Sequence, residues 1–327
     1  MSISDKNKKF SKLAALFVLL LFAIWFLSSK DMMATESHIF EVKKGSSMGS
    51  IAKELSNKGL IKSELFFTSF SKFLNANKKL KSGYYEILPG TSVWTFIDKI
   101  STGSVLSTKV TLIEGKTIKF YFNQLTNDPS IKPSGSLKEV MTSIGINEPY
   151  DGWFFPETYS FNYGESLENV LKRAHQELMK NLMVLWDQRD KGLPLKSPYE
   201  AIILASLIEN ETALDEEKSL IAGVFIRRLN EGMRLQTDPT VIYALGDAYS
   251  PPLKKSDLRI NSLYNTYRNK GLPPGAISSV GYQSLFAALH PSSNTDLYFV
   301  SKKDGSHAFA PNYEKHKENI KKYLNNN

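Results

Sequence analysis

The chain has no cysteine. Disulfide bonds, thiol nucleophiles and cysteine-ligated metals are therefore excluded, a composition compatible with an oxidising compartment. Histidine is scarce, with five in 327 residues. The late His307 has no second histidine or acidic ligand at zinc-like spacing, so no metal and no other cofactor is expected. There is no internal repeat, and no clustered arginine and aromatic module, so nucleic acid is not an expected partner despite a net charge of +8. That charge suits an anionic polymer or a membrane surface. The 42% hydrophobic and 23% charged content is that of folded protein, and the length is enough for two compact domains plus appendages.

One long hydrophobic run is present. Leu13 to Leu27 is uninterrupted, Ser28 and Ser29 extend it, and Lys12 and Lys30 bracket it. A bilayer needs about 17–25 such residues, so the stretch of about 13–29 is expected to be a single transmembrane helix. Lys6, Lys8, Lys9 and Lys12 precede it, which predicts a cytoplasmic N-terminus and an exported remainder. Ala34-Thr35-Glu36 makes a poor cleavage site, so an uncleaved inner (plasma) membrane anchor is favoured over a signal peptide.

After a tether ending near Ser37, Phe40 to Ala52 reads as strand, turn and helix start, with Gly45 for the turn and a serine between Ser46 and Ser50 as cap. Ser63-Glu64-Leu65-Phe66-Phe67 opens another helix, Tyr84 to Leu88 reads as a strand turned by Pro89-Gly90, and Val93 to Ile100 as a helix. Phe40, Tyr84 and Tyr85 read as core more readily than as sugar-stacking groups. Lys109 to Gly115 reads as a strand entering a second region, with Thr117 capping the next helix, Pro129 to Gly135 as a polar loop and Leu167 to Trp186 as a helix. Non-alternating elements of both kinds point to an α+β fold rather than a doubly wound sheet.

The chemistry concentrates in Ala205-Ser206-Leu207-Ile208-Glu209-Asn210-Glu211-Thr212. Ser197-Pro198-Tyr199-Glu200 is a capping box with proline at the first helical position. From Ala201 to Ile208 only Ser206 is polar, which predicts a helix buried on most sides. Glu209 follows Ile202 and Ala205 on one face. A carboxyl held in apolar surroundings resists ionisation and can keep a proton to donate. The competing reading leaves Glu209 solvated past the helix end, or neutralised by Arg227 or Arg228. Glu211, two residues on, points roughly 200° away around the axis, so the two glutamates cannot flank one bond. A glycosidase of the two-carboxylate kind would need an acid from elsewhere, and Asp238 is the outside candidate. Gln236, Asp238 and Thr240 around Pro239, and Asn265 and Tyr267 before the rigid Gly271-Leu272-Pro273-Pro274-Gly275 turn, read as cleft-lining candidates.

These residues resemble the MltG-like (YceG-like) family of endolytic peptidoglycan transglycosylases. The glutamate signature is joined, in order, by Gly152-Trp153-Phe154-Phe155-Pro156-Glu157-Thr158-Tyr159, Val224-Phe225-Ile226-Arg227-Arg228-Leu229, Gly232 to Tyr243, Tyr264 to Ile277, Ala288-Leu289-His290-Pro291 and Asp304 to Phe309. Ala276 departs from a frequent proline, and His290 from a usual asparagine. The resemblance implies three parts: residues 1–37 as cytoplasmic end, anchor and tether, residues 38–108 as a small glycan-binding LysM-like subdomain, and residues 109–327 as a larger mixed α+β catalytic domain. It implies cleavage between N-acetylmuramic acid (MurNAc) and N-acetylglucosamine (GlcNAc) inside peptidoglycan glycan strands, without water as nucleophile. Glu209 would be the single acid/base, with Glu211, Gln236, Asp238, Asn265 and Tyr267 as substrate-binding candidates. Peptidoglycan synthases are expected partners on the same ground. A peptidoglycan hydrolase and a non-catalytic LysM-type scaffold are the alternatives.

Overall fold

The computed structural model describes residues 16–17, 19–27 and 29–324. The expected anchor at about 13–29 therefore lies partly outside the described residues. Its described part is helical over 19–27 and exposes Leu19, Leu20, Leu21, Phe22, Ile24 and Leu27. Among the described residues no helix is long and apolar enough to cross a membrane.

The chain forms two compact units, one reaching Thr108 and including Ser160–Gly164, the other built from Lys109–Tyr159 and the residues from Glu165 onward. The return of Ser160–Gly164 to the first unit has no counterpart in the sequence expectation. It is held there partly by Tyr163, whose ring packs on Tyr84 at 5.1 Å and whose N–H reaches Leu106 O at 2.9 Å.

In the first unit His38–Val42 pairs antiparallel with Gly83–Ile87, Phe40 facing Tyr85. Gly45, at φ +84°, turns the chain, and Ser47 caps Met48–Asn57 in a reciprocal serine box with Ser50. Ser63 caps Glu64–Phe73, and Ser92 caps Val93–Thr102. Phe40, Leu55, Phe67, Tyr85, Phe96 and Ile100 close the core, so two of the three aromatic candidates are packing groups, while Tyr84 is half-buried.

The second unit is organised around the helix Pro198–Glu211, in which every residue from Ala201 to Ile208 is buried. It is enclosed by Leu167–Gln188, Asp215–Asn230, Asp238–Leu245 and Tyr282–Leu289. Among the described residues the strands are short and paired only in twos. Tyr298–Ser301 runs antiparallel to His307–Ala310 through a turn made by Asp304, which accepts from Ser306, and Gly305 at φ +89°. The architecture is mixed α+β.

Candidate active site

Ser197 caps the central helix by accepting from Glu200 N at 3.3 Å. The reciprocal half of the expected box is displaced by one residue, because the Glu200 carboxylate takes the N–H of Lys196 at 2.6 Å. Helix and apolar run then deliver three polar side chains to one loop, residues 276–281. Ser206 Oγ accepts from Ile277 N at 3.1 Å, Asn210 Nδ2 donates to Ser278 Oγ at 2.7 Å, and Glu209 Oε2 accepts from Gly281 N at 2.9 Å. The loop's other side is clamped to residues 113–116. Gly115 N donates to Ser279 O at 3.3 Å, Ser279 N donates to Lys116 O at 2.8 Å, and the Tyr121 hydroxyl joins Ile113 O and Ser279 Oγ.

Two carboxyls meet at this loop. Glu209 holds the Gly281 N–H, and a Cβ placed on Gly281 would come 2.1 Å from Glu114 Oε1. Glu209 is only 7% exposed in its side chain, and its other oxygen lies 3.6 Å from Lys218 Nζ. Lys218, itself buried, also binds Asp215 at 2.9 Å. Burial raises the Glu114 pKa, the charge of Glu209 raises it further, and Lys218 opposes both. Burial pulls the Lys218 pKa down, but Asp215, Glu209 and Glu114 hold it above the usual lysine value. The group line a cavity of about 540 Å3 with Lys116, Asn210 and Glu211.

The apolar surroundings expected for the Glu209 carboxyl are therefore replaced by a polar pocket. Nor do arginines neutralise it: Arg227 holds the Ser292, Asn294 and Asp296 loop, and Arg228 caps the carbonyls of Leu297 and Leu235. Lys218, seven residues after Glu211 on the next helix, is the cation that sequence reading missed. Glu114 was missed because 95 residues of chain separate it from Glu209.

Glu211 turns the other way, as its helical spacing requires. Its Oε2 accepts from the Thr237 hydroxyl at 2.5 Å. Burial pushes its pKa up to about 7, with Asp238 adding to the rise and Thr237, His307 and Arg228 opposing it. Asp238 accepts from the Tyr267 hydroxyl at 2.6 Å, and these three residues, with Gln236, line a second cavity of about 520 Å3. Gln236 has φ +51°, an uncommon backbone state for a residue with a side chain. Asp238 thus gathers with Glu211, and Glu211 borders both cavities. Asn265 is fully buried: its Nδ2 donates to Leu258 O and Ile260 O and its Oδ1 accepts from Tyr267 N. It shapes the loop that carries Tyr267 and does not face either cavity. His307 is bound through both its N–H and Nδ1 to Glu217, at 2.8 and 2.7 Å. Trp153 stacks on Tyr199 at 4.6 Å, and Phe154 and Phe155 are buried, so that block is packing.

The model of the YceG-like family matches residues 40–322 of this chain. The chain belongs to the YceG-like family. Among YceG-like relatives, an endolytic murein transglycosylase of Bacillus subtilis is 31% identical over 321 residues, covering 90% of this chain and 86% of its own length. One of the same description from Streptococcus pneumoniae R6 is 28% identical over 323 residues, and the alignment spans 87% of this chain and 58% of the pneumococcal protein. The crystal structure of a YceG-like protein from Listeria monocytogenes, 28% identical, superposes with a TM-score of 0.56 over 87% of this chain and 99% of its own.

Proposed function

We propose that this YceG-like chain is a membrane-anchored endolytic murein transglycosylase that cuts MurNAc–GlcNAc bonds within glycan strands. The observation that carries the reading is the Glu209 carboxyl, fixed by the Gly281 N–H and Lys218 on the wall of a polar cavity. The relatives' common description as endolytic murein transglycosylases supports it. Protonated Glu209 gives its proton to the glycosidic oxygen, the C1–O bond breaks, and the GlcNAc-side hydroxyl leaves. The C6 hydroxyl of the muramic sugar bonds to its own C1, and Glu209 takes the hydroxyl proton and is regenerated. Because that nucleophile is tethered, its effective concentration is high and no activated water is required. Glu211, Gln236, Asp238 and Tyr267 bind the adjoining sugars in the second cavity.

The order strand, helix, helix, strand of residues 38–87 supports a LysM-like subdomain, and the exposed apolar side chains of 19–27 support the anchor. The lysines that precede the apolar run support a catalytic unit outside the inner membrane, where a basic chain would meet anionic stem peptides and the synthases that make the strands. Digestion of defined glycan strands followed by mass spectrometry tests the reaction. Internal cuts with 1,6-anhydro ends are expected, and Glu209→Gln loses them while its melting curve stays that of the parent. The neighbouring Glu114 carboxyl favours one second reading, a hydrolase in which one carboxyl activates water. Reducing ends carrying solvent oxygen identify that case.

A further inference from the structure

The first unit carries an apolar surface that its core does not use. In the helix Glu64–Phe73, Leu65 is 69% and Phe73 79% exposed, and Trp94, near the start of Val93–Thr102, is 53% exposed. At 100° per residue Leu65, Ser69, Phe73, Phe66 and Phe70 follow one another around an arc of roughly 140°. The buried Phe66 and half-buried Phe70 form its inner edge, and their rings join it to the apolar helix of residues 19–27. Trp25 meets Phe66 edge-on at 4.9 Å, and Phe26 lies 5.7 and 6.3 Å from Phe66 and Phe70. Phe70 in turn lies 6.3 and 5.9 Å from Phe73 and Trp94. Between the two helices runs a groove of about 360 Å3 bounded by Phe22, Phe26, Phe70 and Phe73. Single exposed apolar side chains are ordinary; a continuous patch of this kind marks a contact surface.

We propose that this aromatic face is a lipid-docking surface: Leu65, Phe73 and Trp94 enter the interfacial layer of the bilayer that holds the anchor, and fasten the first unit to the membrane surface. The inference rests on the membrane-anchored part of the proposed function. Continuity with the anchor helix selects lipid as the occupant, because lipid around one reaches the other. The depth agrees. Phe22, at the far end of the groove, precedes Ser29, the last residue of the expected span, by seven positions. That is about 10 Å of helix, and an amphipathic helix lying in the interface sinks its apolar face by roughly 5–10 Å. The chemistry agrees as well. Tryptophan and other rings collect where hydrocarbon gives way to headgroups, and the exposed Lys30, Lys62 and Lys72 outnumber Glu64, the one acid of the helix, as suits anionic headgroups. A second copy of the chain on the same face would instead bring like lysines together.

The absence of cysteine makes the test direct, since a spin label can be placed at one chosen residue of the full chain. Labels are attached to Leu20→Cys, Leu65→Cys, Phe73→Cys and Lys53→Cys variants, all at exposed positions, and each chain is reconstituted into nanodiscs of phosphatidylcholine and phosphatidylglycerol. Power saturation then reads access to oxygen, which concentrates in lipid, and to a water-soluble nickel chelate. Lys53, on the helix Met48–Asn57, reports water, and Leu20 reports the anchor. The labels at Leu65 and Phe73 should lose nickel access and gain oxygen access relative to Lys53, approaching the Leu20 label. A lipid-embedded Leu20 label with Leu65 and Phe73 labels that behave like Lys53 leaves the anchor standing and overturns the docking surface. A Leu20 label open to nickel overturns the anchor and the docking surface with it. Spin–spin broadening at Phe73 that disappears on dilution with unlabelled chain identifies a second copy on this face, and also overturns the proposal. A label on Trp94→Cys should be protected in the parent background and become open to nickel when Leu65→Ser and Phe73→Ser accompany it. Protection that survives both serines means that the apolar face does not hold the unit to lipid.

Discussion

Replacing Glu211 by glutamine should make the protein more stable at alkaline pH and change little in acid. The buried Glu211 carboxyl is pushed up to about 7, against 4.5 for an unhindered glutamate. Between those values the folded chain holds a proton that the unfolded chain has released. Stability contributed by that proton is fully present below about pH 4.5, falls as pH rises through the window, and is gone above about pH 7. At roughly 1.4 kcal/mol per pH unit the loss is about 3 kcal/mol, a large share of a domain's net stability. Glutamine is neutral throughout, and its carbonyl can still accept the Thr237 hydroxyl that now reaches Glu211 at 2.5 Å. Urea unfolding of parent and Glu211→Gln is followed by hydrogen exchange in the Pro198–Glu211 helix at half-unit steps from pH 4 to 8.5. The two stability curves should coincide near pH 4.5 and separate in favour of the variant up to pH 7, then run parallel. An offset of one size at every pH would refute the reasoning, because a constant difference reports packing and not a proton.

Lys218→Met removes the ammonium 3.6 Å from Glu209 and leaves that buried carboxylate without its cation, which should cost about 3–5 kcal/mol in urea unfolding. Unfolding unchanged from the parent would mean that the lysine is not the counter-charge of the acid. Ser206→Ala strips the acceptor from the buried Ile277 N–H and should cost about 1–3 kcal/mol in urea unfolding, with no change in the shape of the pH profile.

The central helix was legible in the sequence because everything that makes it is local. A capping serine, a proline at the first position and eight consecutive residues with one polar member specify a buried helix without reference to the rest of the chain. The opposed directions of Glu209 and Glu211 were legible for the same reason, since helical pitch alone separates them. What local pattern could not supply was the company each carboxyl keeps. Asp238 was the outside acid considered for Glu209, but the turn at Thr237 binds Glu211 and brings Asp238 to that side. Asn265 read as a cleft residue because asparagine in a loop is polar; the loop curls around it and uses both ends of its amide internally. Glu114 ends a segment that reads as a strand, and only the clamp between residues 113–116 and 276–281 carries it to the helix end.

Gly281 sits at φ −77°, a backbone state open to any residue. The usual argument for glycine, a turn that side chains cannot make, is therefore absent. Its indispensability is of another kind: the residue offers an N–H to one acid and an empty place to the other. The spacing of the two acids is consequently written into a residue with no functional group of its own. A methyl group there would act as a wedge, driving the Glu114 carboxyl off the loop without touching either acid's identity.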